Sequence, residues 1–352
     1  MTLLLTNDDL EQVLDMPRSL AALEPAYRAL GQGQAVLRPQ SQTYLPGPLP
    51  NSSYCLKSVE GGSQELGVMA IRLTSDVLRG REVNGTFRRE KVAAAPGGRF
   101  LGLVLLFSIE TGELLAIMPD GIIQRLRVGA ASALAADRLA RANAAAVGLI
   151  GAGNQAAAQL RGLAAVRRLQ QVRVFSPTAE RREAFCLAME RELGLPIEPA
   201  ASAHEAVAGA DIVAAATNSG RPVLEAEWLQ PGMHVSFIRE FEASDEALAR
   251  ADILAVHTKQ GEIDHCTPVG REDLADLQRG RGYPWHQHPE LSELVAGSAP
   301  GRDSDSQLTM FMNNFGIGIQ FAVLGAAGMR EARARGLGQD IPSDWFLESL
   351  QP

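Results

Sequence analysis

A short apolar run followed by a glycine-rich turn stands out near the middle of the chain. The turn reads Gly151-Ala-Gly153-Asn154-Gln155-Ala156, the G-x-G-x-x-A spacing that links a buried strand to a helix. Gly151 allows the tight turn, Gly153 lets the backbone approach a pyrophosphate, and Ala156 lets the helix pack closely on the strand. The N–H groups and dipole at the helix start favour an anion. The pattern predicts a dinucleotide site that includes Gly151, Gly153, Asn154 and Gln155.

The end of the next apolar run indicates which dinucleotide would bind. An acidic residue at this position binds the ribose hydroxyls of NAD in many such folds. Here the strand end reads Phe175-Ser176-Pro177-Thr178, with Arg181 and Arg182 close behind. Hydroxyls and arginines suit a 2′-phosphate, so we predict NADP(H) as the preferred cofactor, contacted by Ser176, Thr178 and Arg181. NAD(H) remains the alternative, because both arginines would also suit a solvated helix face.

A later apolar run ends in three polar residues. Residues 211–216 lead into Thr217, Asn218 and Ser219. At the carboxyl edge of a parallel sheet, the end of the fourth strand lies beside the nicotinamide ribose. We therefore expect Thr217, Asn218 and Ser219 to contact the cofactor. A plain polar strand end is the alternative.

The elements that would position these residues differ between the middle and the ends of the chain. From residue 147 to 256, short apolar runs alternate with helical segments, which predicts a parallel sheet with crossover helices. Before that region we expect a helical stretch over 8–30 that Pro17 and Pro25 break in two, extended segments over 36–75, a long polar loop over 79–99 and a hairpin over 100–118. A helix over 127–141 precedes the alternating region, and a final helix spans 318–335.

Composition excludes several classes of protein. The chain has 352 residues, of which 46% are hydrophobic and 21% charged, and a net charge of −8. This length suits two domains, and the negative charge argues against nucleic acid as a partner. Lys57, Lys91 and Lys259 are the only lysines, and the other 30 of the 33 basic residues are arginines. The arginine excess reflects overall composition for the most part, although individual guanidinium groups suit carboxylates and phosphates.

Cysteine and hydropathy patterns indicate a cytoplasmic protein with no membrane segment. The three cysteines are odd in number, far apart and never in a C-x-x-C pair, which favours a reducing compartment. The N-terminus has no basic segment followed by a long apolar one, so it does not resemble a signal peptide. The uncharged stretch 142–160 consists largely of Ala, Gly, Asn and Gln, and we interpret it as a buried strand and turn.

Histidines offer no recognisable metal site. His286 and His288, with His265 and Cys266, occur in a polar segment without the spacing of a known ligand set. We therefore predict no metal. His234 and His257 occur at strand positions, where packed or hydrogen-bonded histidines are the simpler interpretation.

Several segments together resemble the ornithine cyclodeaminase/mu-crystallin family. The resembling segments are TGELLAIMPDG (111–121), RVGAASALAA (127–136), GLIGAGNQAAAQL (148–160), ADIVAAATNS (210–219), PGMHV (231–235), ELVAGSAPGR (293–302) and GIGIQFAVLGAA (316–327). The resemblance implies an α/β architecture with a Rossmann-type parallel sheet domain over 127–309. It also implies an α+β domain over 1–126 and 310–352, built from both chain ends, that binds an amino-acid-like substrate and forms a homodimer.

The resemblance also assigns residues to the substrate. Arg127 matches the arginine that holds the substrate carboxylate, and Arg38 is similar to a second carboxylate-binding arginine. Bidentate guanidinium groups are well matched to carboxylates. For Arg127 the alternative is a surface position at a helix start. For Arg38 a surface position is as good an interpretation as carboxylate binding.

Three positions depart from the family pattern. Arg72 stands where the family usually has a lysine, and an arginine does not exchange a proton near neutral pH. Phe241 stands where cyclodeaminases carry a catalytic aspartate. Glu240 and Glu242 flank it, and Glu240 is our candidate for the missing carboxylate, with two surface acids as the alternative. Gln320-Phe321 replaces a common Gln-Asp. These changes argue against ornithine cyclisation, and the NNFGIGIQFA and IPSDWF segments are similar to a subgroup named for tyramine oxidase.

We therefore predict an NAD(P)-dependent oxidoreductase that acts on the C–N bond of a small amine or imine bearing a carboxylate. Arg38, Arg72 and Arg127 would bind the substrate, with Arg72 and Glu240 at the reacting centre. The enzyme would be an imine or ketimine reductase or, in the reverse direction, an amino-acid dehydrogenase. The alternatives are a lyase with tightly bound NAD, which releases ammonia from ornithine or lysine, and a non-catalytic NADP-binding protein.

Overall fold

The computed structural model describes residues 1–83, 86–259, 263–278 and 282–349, and the chain divides into two units. The first unit comprises Met1–Arg127, Glu262–Arg279 and Gly316–Pro352, and the second comprises Val128–Gly261 and Gly280–Phe315. The expected division assigned all of 127–309 to the dinucleotide domain. The structure instead includes Glu262–Arg279 in the first unit, because a strand at Asp264–Cys266 pairs with Ser41–Pro46.

The elements follow one another in three stretches of chain. The first stretch contains β1 (Thr2–Leu4), α1 (Asn7–Val13), α2 (Met16–Gly31), β2 (Ala35–Leu37), β3 (Ser41–Pro46), β4 (Ser52–Ser63), β5 (Val68–Val83), β6 (Thr86–Val92), β7 (Leu101–Ser108) and β8 (Leu114–Pro119). The second contains α3 (Gly121–Leu139), β9 (Ala146–Ile150), α4 (Asn154–Val166), β10 (Gln171–Phe175), α5 (Ala179–Leu193), β11 (Ile197–Pro199), α6 (Ala203–Val207), β12 (Ile212–Ala215), β13 (His234–Phe237), α7 (Asp245–Leu248) and β14 (Ile253–Val256). The third contains β15 (Asp264–Cys266), α8 (Leu291–Ala296), β16 (Thr309–Met312), α9 (Gly318–Ala334) and β17 (Gln339–Ile341).

The first unit is built on a mixed sheet in the order β15-β3-β4-β5-β7-β8-β1-β17, with β2 and β6 as side branches on β4 and β5. Burial alternates along β4, so that Ser53, Cys55, Lys57, Val59 and Gly61 face the covered side of the sheet. Such alternation is the rule where one sheet face is packed and the other is solvated. We refer to this side as the covered face.

The predicted loop over 79–99 is wrong in its first half. Strand β5 continues to Val83, and β6 pairs with it in antiparallel register. Many residues of these two strands are charged, so the sequence shows no apolar alternation there. The strands pair through backbone hydrogen bonds, which do not depend on side-chain type. The hairpin expected over 100–118 is present as β7 and β8.

Helix α9 packs on β4 through two glycines. A Cβ added at Gly318 would lie 1.9 Å from the carbonyl carbon of Glu60, and one added at Gly61 would lie 2.3 Å from the backbone nitrogen of Ile319. Any larger residue at these positions would force the helix off the strand. This close approach fixes the first turn of α9, which carries Gln320 and Phe321.

The second unit has a fully parallel sheet in the order β11-β10-β9-β12-β13-β16-β14. Strand order reverses at β9, which lies between β10 and β12, and ligands of such sheets bind at the carboxyl ends beside this switch point. The fold class predicted from the sequence, a Rossmann-type sheet with an α+β domain from both chain ends, is confirmed. Within the described residues, no helix is both long and apolar enough to cross a membrane.

Candidate functional site

The glycine turn between β9 and α4 forms an open cradle. Gly151 has φ +122°, and a Cβ added there would lie 2.3 Å from the carbonyl oxygen of Ala216. Its N–H donates to the carbonyl of Phe175 at 2.8 Å, which ties the turn to the end of β10. Gly153 is the N-cap of α4 and makes no side-chain cap, and an added Cβ there would meet open space. The first N–H groups of α4 are therefore accessible to an anion.

The two residues after Gly153 lie in the first turn of α4. Asn154 is exposed, whereas Gln155 is half-buried. Among the described residues, the buried Oε1 of Gln155 has no hydrogen-bond partner. A buried acceptor without a donor is rare in folded proteins and is satisfied when a ligand supplies one. The open cradle and this acceptor fit a dinucleotide.

The end of β10 carries the residues predicted to select the cofactor. Arg182 donates from Nη1 to the carbonyl of Ser176 at 2.6 Å and lies over the ring of Phe175. Thr178 is the exposed N-cap of α5, and Arg181 is exposed in its first turn. In the part of the chain that the structure describes, no hydrogen bond or ion pair holds the Arg181 side chain. Arg182 thus shapes the loop, and Arg181 stays accessible.

The loop after β12 lies beside the glycine turn. The N–H of Ala216 donates to the carbonyl of Ile150 at 2.8 Å, so both strand ends meet at the switch point. Asn218 is exposed, Thr217 and Ser219 are half-buried, and the Thr217 hydroxyl accepts from the Ser219 N–H at 3.2 Å. The structure therefore brings the predicted residues of β9, α4 and β12 to one edge of the sheet.

Glu242 holds this loop in place, a role that the sequence did not reveal. Its carboxylate is fully buried and accepts hydrogen bonds from the backbone N–H groups of Thr217 at 2.5 Å and of Ile238 and Arg239 at 2.9 Å. Burial raises the pKa of Glu242, while these donors act in the opposite direction. The carboxylate therefore joins the ends of β12 and β13. An acidic residue after a strand carries no signal of such burial.

Glu240, the predicted catalytic carboxylate, lies in a short 3-10 helix that follows β13. Its Oε1 accepts a hydrogen bond from Nε1 of Trp285 at 3.0 Å. Trp285 is buried and packs on Tyr283, with 4.3 Å between the ring centroids. Glu240 is thus an oriented side chain at the carboxyl edge of the sheet, and its catalytic role stays a prediction.

Two arginines of the first unit share one aromatic ring. The guanidinium carbon of Arg72 lies 5.3 Å from the centroid of the Phe321 ring, and that of Arg127 lies 5.9 Å from it. Arg72 forms an ion pair with Asp120 at 2.7 Å. Gly102 makes room for that carboxylate, because an added Cβ would lie 2.1 Å from Asp120 Oδ1. The structure therefore brings the predicted Arg72 and Arg127 together.

Arg127 is a buried cation whose neighbouring acid, Asp120, is already paired with Arg72. It is 7% exposed, and its Nε donates to the neutral Gln124 at 3.1 Å. Within the described residues it forms no ion pair with a carboxylate. Burial and the neighbouring Arg72 lower the pKa of Arg127 to about 9. A buried guanidinium in this state attracts an anion, and a carboxylate matches its planar donors.

Arg38 does not join this pair. Its side chain is 62% exposed, and Nη1 lies 3.4 Å from Glu60 Oε2. Val59, not Glu60, lies opposite Arg72 in the β4–β5 register, and side chains alternate between the two faces of a strand. Glu60 and its partner Arg38 are thus on the other side of the sheet. The predicted role of Arg38 in substrate binding stays a prediction.

The end of the chain supplies residues that the sequence marked only as departures. Phe321 is the ring beneath both guanidinium groups, and Gln320 donates from Nε2 to Tyr27 Oη at 2.8 Å and to the carbonyl of Arg127 at 3.3 Å. Burial raises the pKa of the Tyr27 hydroxyl above its usual value. Gly316 permits this packing, because an added Cβ would lie 2.9 Å from the guanidinium carbon of Arg127.

Histidines lie outside these clusters. His234 is fully buried, its Nδ1 lies 3.0 Å from Thr309 Oγ1, and burial lowers its pKa to about 3. His257 bonds to the carbonyl of Phe315, and Nδ1 of His265 lies 3.0 Å from the Tyr44 hydroxyl. In the described ranges, no group of three or more His, Cys, Asp or Glu side chains could hold a metal ion.

The sequence is similar to one protein family and to several enzymes of known activity. The model of the ornithine cyclodeaminase/mu-crystallin family matches residues 54–326. A Delta(1)-pyrroline-2-carboxylate reductase of Bacillus cereus is 31% identical over 68% of this chain and 74% of its own length. An alanine dehydrogenase of Archaeoglobus fulgidus is 28% identical over 97% of this chain and 98% of its own.

A solved structure has the same fold over nearly the whole chain. It is the Delta(1)-pyrroline-2-carboxylate reductase of Thermococcus litoralis in complex with NADH and L-proline. The two proteins are 26% identical and superpose with a TM-score of 0.77, covering 97% of this chain and 100% of the other.

Proposed function

The chain belongs to the ornithine cyclodeaminase/mu-crystallin family, and from this premise we propose that it interconverts a carboxylate-bearing imine and the corresponding amine with an NAD(P) cofactor. The sequence predicted an oxidoreductase of this class. The imine reductases and the amino-acid dehydrogenase among its relatives confirm the class.

The observation that carries the proposal is the buried guanidinium of Arg127. It is paired with the neutral Gln124, and the charge of its neighbour Arg72 is already balanced by Asp120. A substrate carboxylate would therefore complete the site by neutralising Arg127 through two parallel N–H···O bonds. Phe321 would hold the guanidinium planes in place from below. Fixing the carboxylate fixes the adjacent C–N bond, and positioning of this kind is a large part of catalysis.

The second unit supplies the features of a dinucleotide site. A bound nicotinamide supplies or accepts the hydride. The cradle at Gly151 and Gly153, with Asn154 and Gln155, would hold the pyrophosphate, and residues 217–219 would contact the nicotinamide ribose. These roles rest on the open space above Gly153 and on the accessible N–H groups at the start of α4.

We favour NADP(H) over NAD(H) as the physiological cofactor. Ser176, Thr178 and the accessible Arg181 surround the end of β10, where a 2′-phosphate would lie, and residues 176–178 contain no acid. Glu180, in the first turn of α5, is the acid that would serve a ribose hydroxyl instead. The ratio of kcat/KM for NADPH and NADH tests this preference.

Two departures disfavour the lyase reaction. Arg72 is tied to Asp120 by two short contacts and, as an arginine, does not act as a proton shuttle. Phe241 supplies no carboxylate at the position where the family resemblance implies an aspartate. These departures also support placing the chain in a divergent branch of the family. The subgroup named for tyramine oxidase, which two segments of the sequence resemble, is our candidate for that branch.

The test is oxidation of NADPH and NADH by the purified protein with 1-pyrroline-2-carboxylate, 1-piperideine-2-carboxylate, and pyruvate with ammonium or methylamine. We expect turnover with at least one imine, with the product amino acid formed in equal amount to the oxidised cofactor. Ammonia release from ornithine or lysine without net cofactor oxidation would support the lyase instead. Tight cofactor binding without either reaction would support a non-catalytic protein.

We also propose a homodimer and a cytoplasmic location. The face of the first sheet opposite the covered face exposes Leu45, Leu56 and Leu101. In the strand register, Leu56 and Leu101 both lie opposite Ser75, so they form one row across the sheet. Light scattering of the purified protein tests the dimer. Within the described residues no disulfide joins any of the three cysteines, which suits a reducing compartment.

A further inference from the structure

A second group of charged side chains lies on the covered face of the first sheet. Lys57, on β4, is 8% exposed, and its Nζ lies 3.3 Å from Asp76 Oδ2 on β5. Asp76 is 3% exposed, and its Oδ1 accepts from Nζ of Lys91 at 2.9 Å. The side chain of Lys91 is 40% exposed. The three side chains form a continuous line of ion pairs from the interior to solvent.

The Lys57 end of this line lies on the same face of the sheet as Arg72, although the contact of its Nζ is with Asp76. Lys57 lies directly opposite Thr74, and Arg72 is two residues from Thr74 on the same face of β5. Diagonal neighbours of this kind are about 7–8 Å apart, which long side chains can bridge. The buried Oγ1 of Thr74 has no hydrogen-bond partner among the described residues. An unsatisfied hydroxyl therefore stands between the Lys57–Asp76 pair and the Arg72–Asp120 pair.

The choice of lysine at this position is informative. Burying an ammonium group is costly even when it is paired, so lysine is seldom found inside a protein. The chain uses arginine for 30 of its 33 basic residues, and arginine would serve a buried ion pair better. What lysine adds is the ability to release a proton. The reaction needs such a group, whereas Arg72 is held by Asp120 and Arg127 is assigned to the substrate carboxylate.

We propose that Lys57 is the proton donor for the C–N nitrogen of the bound substrate. The proposal rests on the imine reduction proposed above. In that step the imine carbon gains the hydride that the reduced nicotinamide gives up, and the C=N bond becomes a single bond. The nitrogen takes its proton from the Lys57 ammonium, which becomes a neutral amine. In the direction of amine oxidation, Lys57 accepts the proton and the nicotinamide accepts the hydride.

Asp76 and Lys91 act as positioning residues for Lys57. Burial of Asp76 opposes ionisation, but the ammonium groups of Lys91 and Lys57 outweigh it and hold the pKa of Asp76 below its usual value. The carboxylate therefore stays charged and fixes the Lys57 ammonium. Lys91 joins the pair to the surface, where solvent returns the proton after each turnover.

Variants of Lys57 distinguish a role as proton donor from a role as a fixed positive charge. With 1-pyrroline-2-carboxylate and the cofactor that the wild type uses, we expect K57M to lower kcat about 10²–10⁴-fold, the usual worth of a general acid, with little change in KM. K57R keeps the charge but not the acidity, and it should lose as much. The control K259R alters an ion pair with Glu293 in the second unit and should keep wild-type kcat. Ethylamine added to K57A should restore part of the activity.

A K57R variant with wild-type kcat would overturn the proposal, as would a K57M effect confined to KM, because both would indicate a carboxylate-binding charge. So would a loss of kcat in E240Q with none in K57M, which would make Glu240 the donor. Melting temperatures of all variants identify any that fail to fold. If the wild type turns over no imine, the proposed function fails, and the variants no longer bear on it.

A spectroscopic measurement addresses Lys57 without turnover. Protein labelled with ¹⁵N-lysine contains three side-chain ammonium groups, which the variants K91R and K259R assign. Saturation with NAD(P)⁺ and L-proline should shift the Lys57 signal and leave that of Lys259 in place. A Lys57 signal that does not move when proline binds would contradict the proposal, whatever the activity of the enzyme.

Discussion

Replacing Arg127 with methionine removes the proposed carboxylate site at little cost in volume. In the absence of substrate, the folded protein holds this guanidinium buried and, among the described residues, without an ion pair, and burial with Arg72 lowers its pKa to about 9 from 12.5. A shift of this size corresponds to a few kcal/mol of unfavourable free energy. The cost is present in full below pH 9 and fades as the pH rises towards 12.5, where the unfolded chain also loses its proton.

The same substitution has opposite effects on the empty and the occupied protein. Without ligand, R127M should be as stable as the wild type or more stable by about 1–4 kcal/mol, because an apolar side chain replaces an uncompensated charge above Phe321. With substrate, the variant loses two charge-assisted hydrogen bonds worth about 1.5–3 kcal/mol each. The sum predicts a loss of roughly 10²–10⁴-fold in kcat/KM.

Urea unfolding and steady-state kinetics measure both effects. Unfolding is followed with and without NADH and L-proline, and kcat/KM is measured with 1-pyrroline-2-carboxylate. The matched control is R125M on the same helix, whose side chain is 37% exposed and pairs with Glu11, and it should change neither quantity appreciably. A destabilised R127M with wild-type kcat/KM would refute the reasoning, since Arg127 would then be a structural residue.

The remaining predictions concern the dinucleotide unit. Gly153→Ala should leave the free energy of unfolding unchanged and weaken NADPH binding in a fluorescence titration, whereas Gly151→Ala should lower stability by about 1–3 kcal/mol, because φ is positive and Ala216 blocks the Cβ. Arg181→Ala should raise KM for NADPH about tenfold, one lost charged contact, and leave KM for NADH unchanged; equal effects on both would contradict a 2′-phosphate site. Glu242→Gln should cost about 1–3 kcal/mol in urea unfolding, because an amide NH₂ would face backbone donors. Burial raises the pKa of Glu242, so wild-type stability should fall as the pH rises from 4.5 through that raised value, and E242Q should lack this dependence.

The sequence predicted the fold well where the signals are local. Alternating strands and helices with a glycine turn are enough to identify the parallel sheet around β9. The β5–β6 pairing was missed because many residues of these strands are charged and give no apolar alternation in the sequence. The segment 263–278 was misplaced because the pairing of β15 with β3 joins residues more than 200 positions apart, and no local pattern encodes such a contact.

The site was predictable by residue type but not by proximity. Arg127 and Arg72, whose substrate roles stay predictions, were singled out because guanidinium groups suit carboxylates and the surrounding motif is recognisable, and the structure places both over Phe321. Asp120, Phe321 and Lys57 were not found, because their place beside the arginines depends on strand register and on the close packing of α9 at Gly318. A sequence shows that these residues exist, whereas only the sheet shows that they share one face.

Transfer of deuterium from the cofactor to the substrate tests the central claim most directly. The protein is incubated with 1-pyrroline-2-carboxylate and NAD(P)H that carries deuterium at the C4 position of the nicotinamide, and the product is examined by mass spectrometry and NMR. We expect proline with deuterium at Cα, formed by the wild type and almost absent with R127M. A product without deuterium, or ammonia released from ornithine with no oxidised cofactor, would contradict the account.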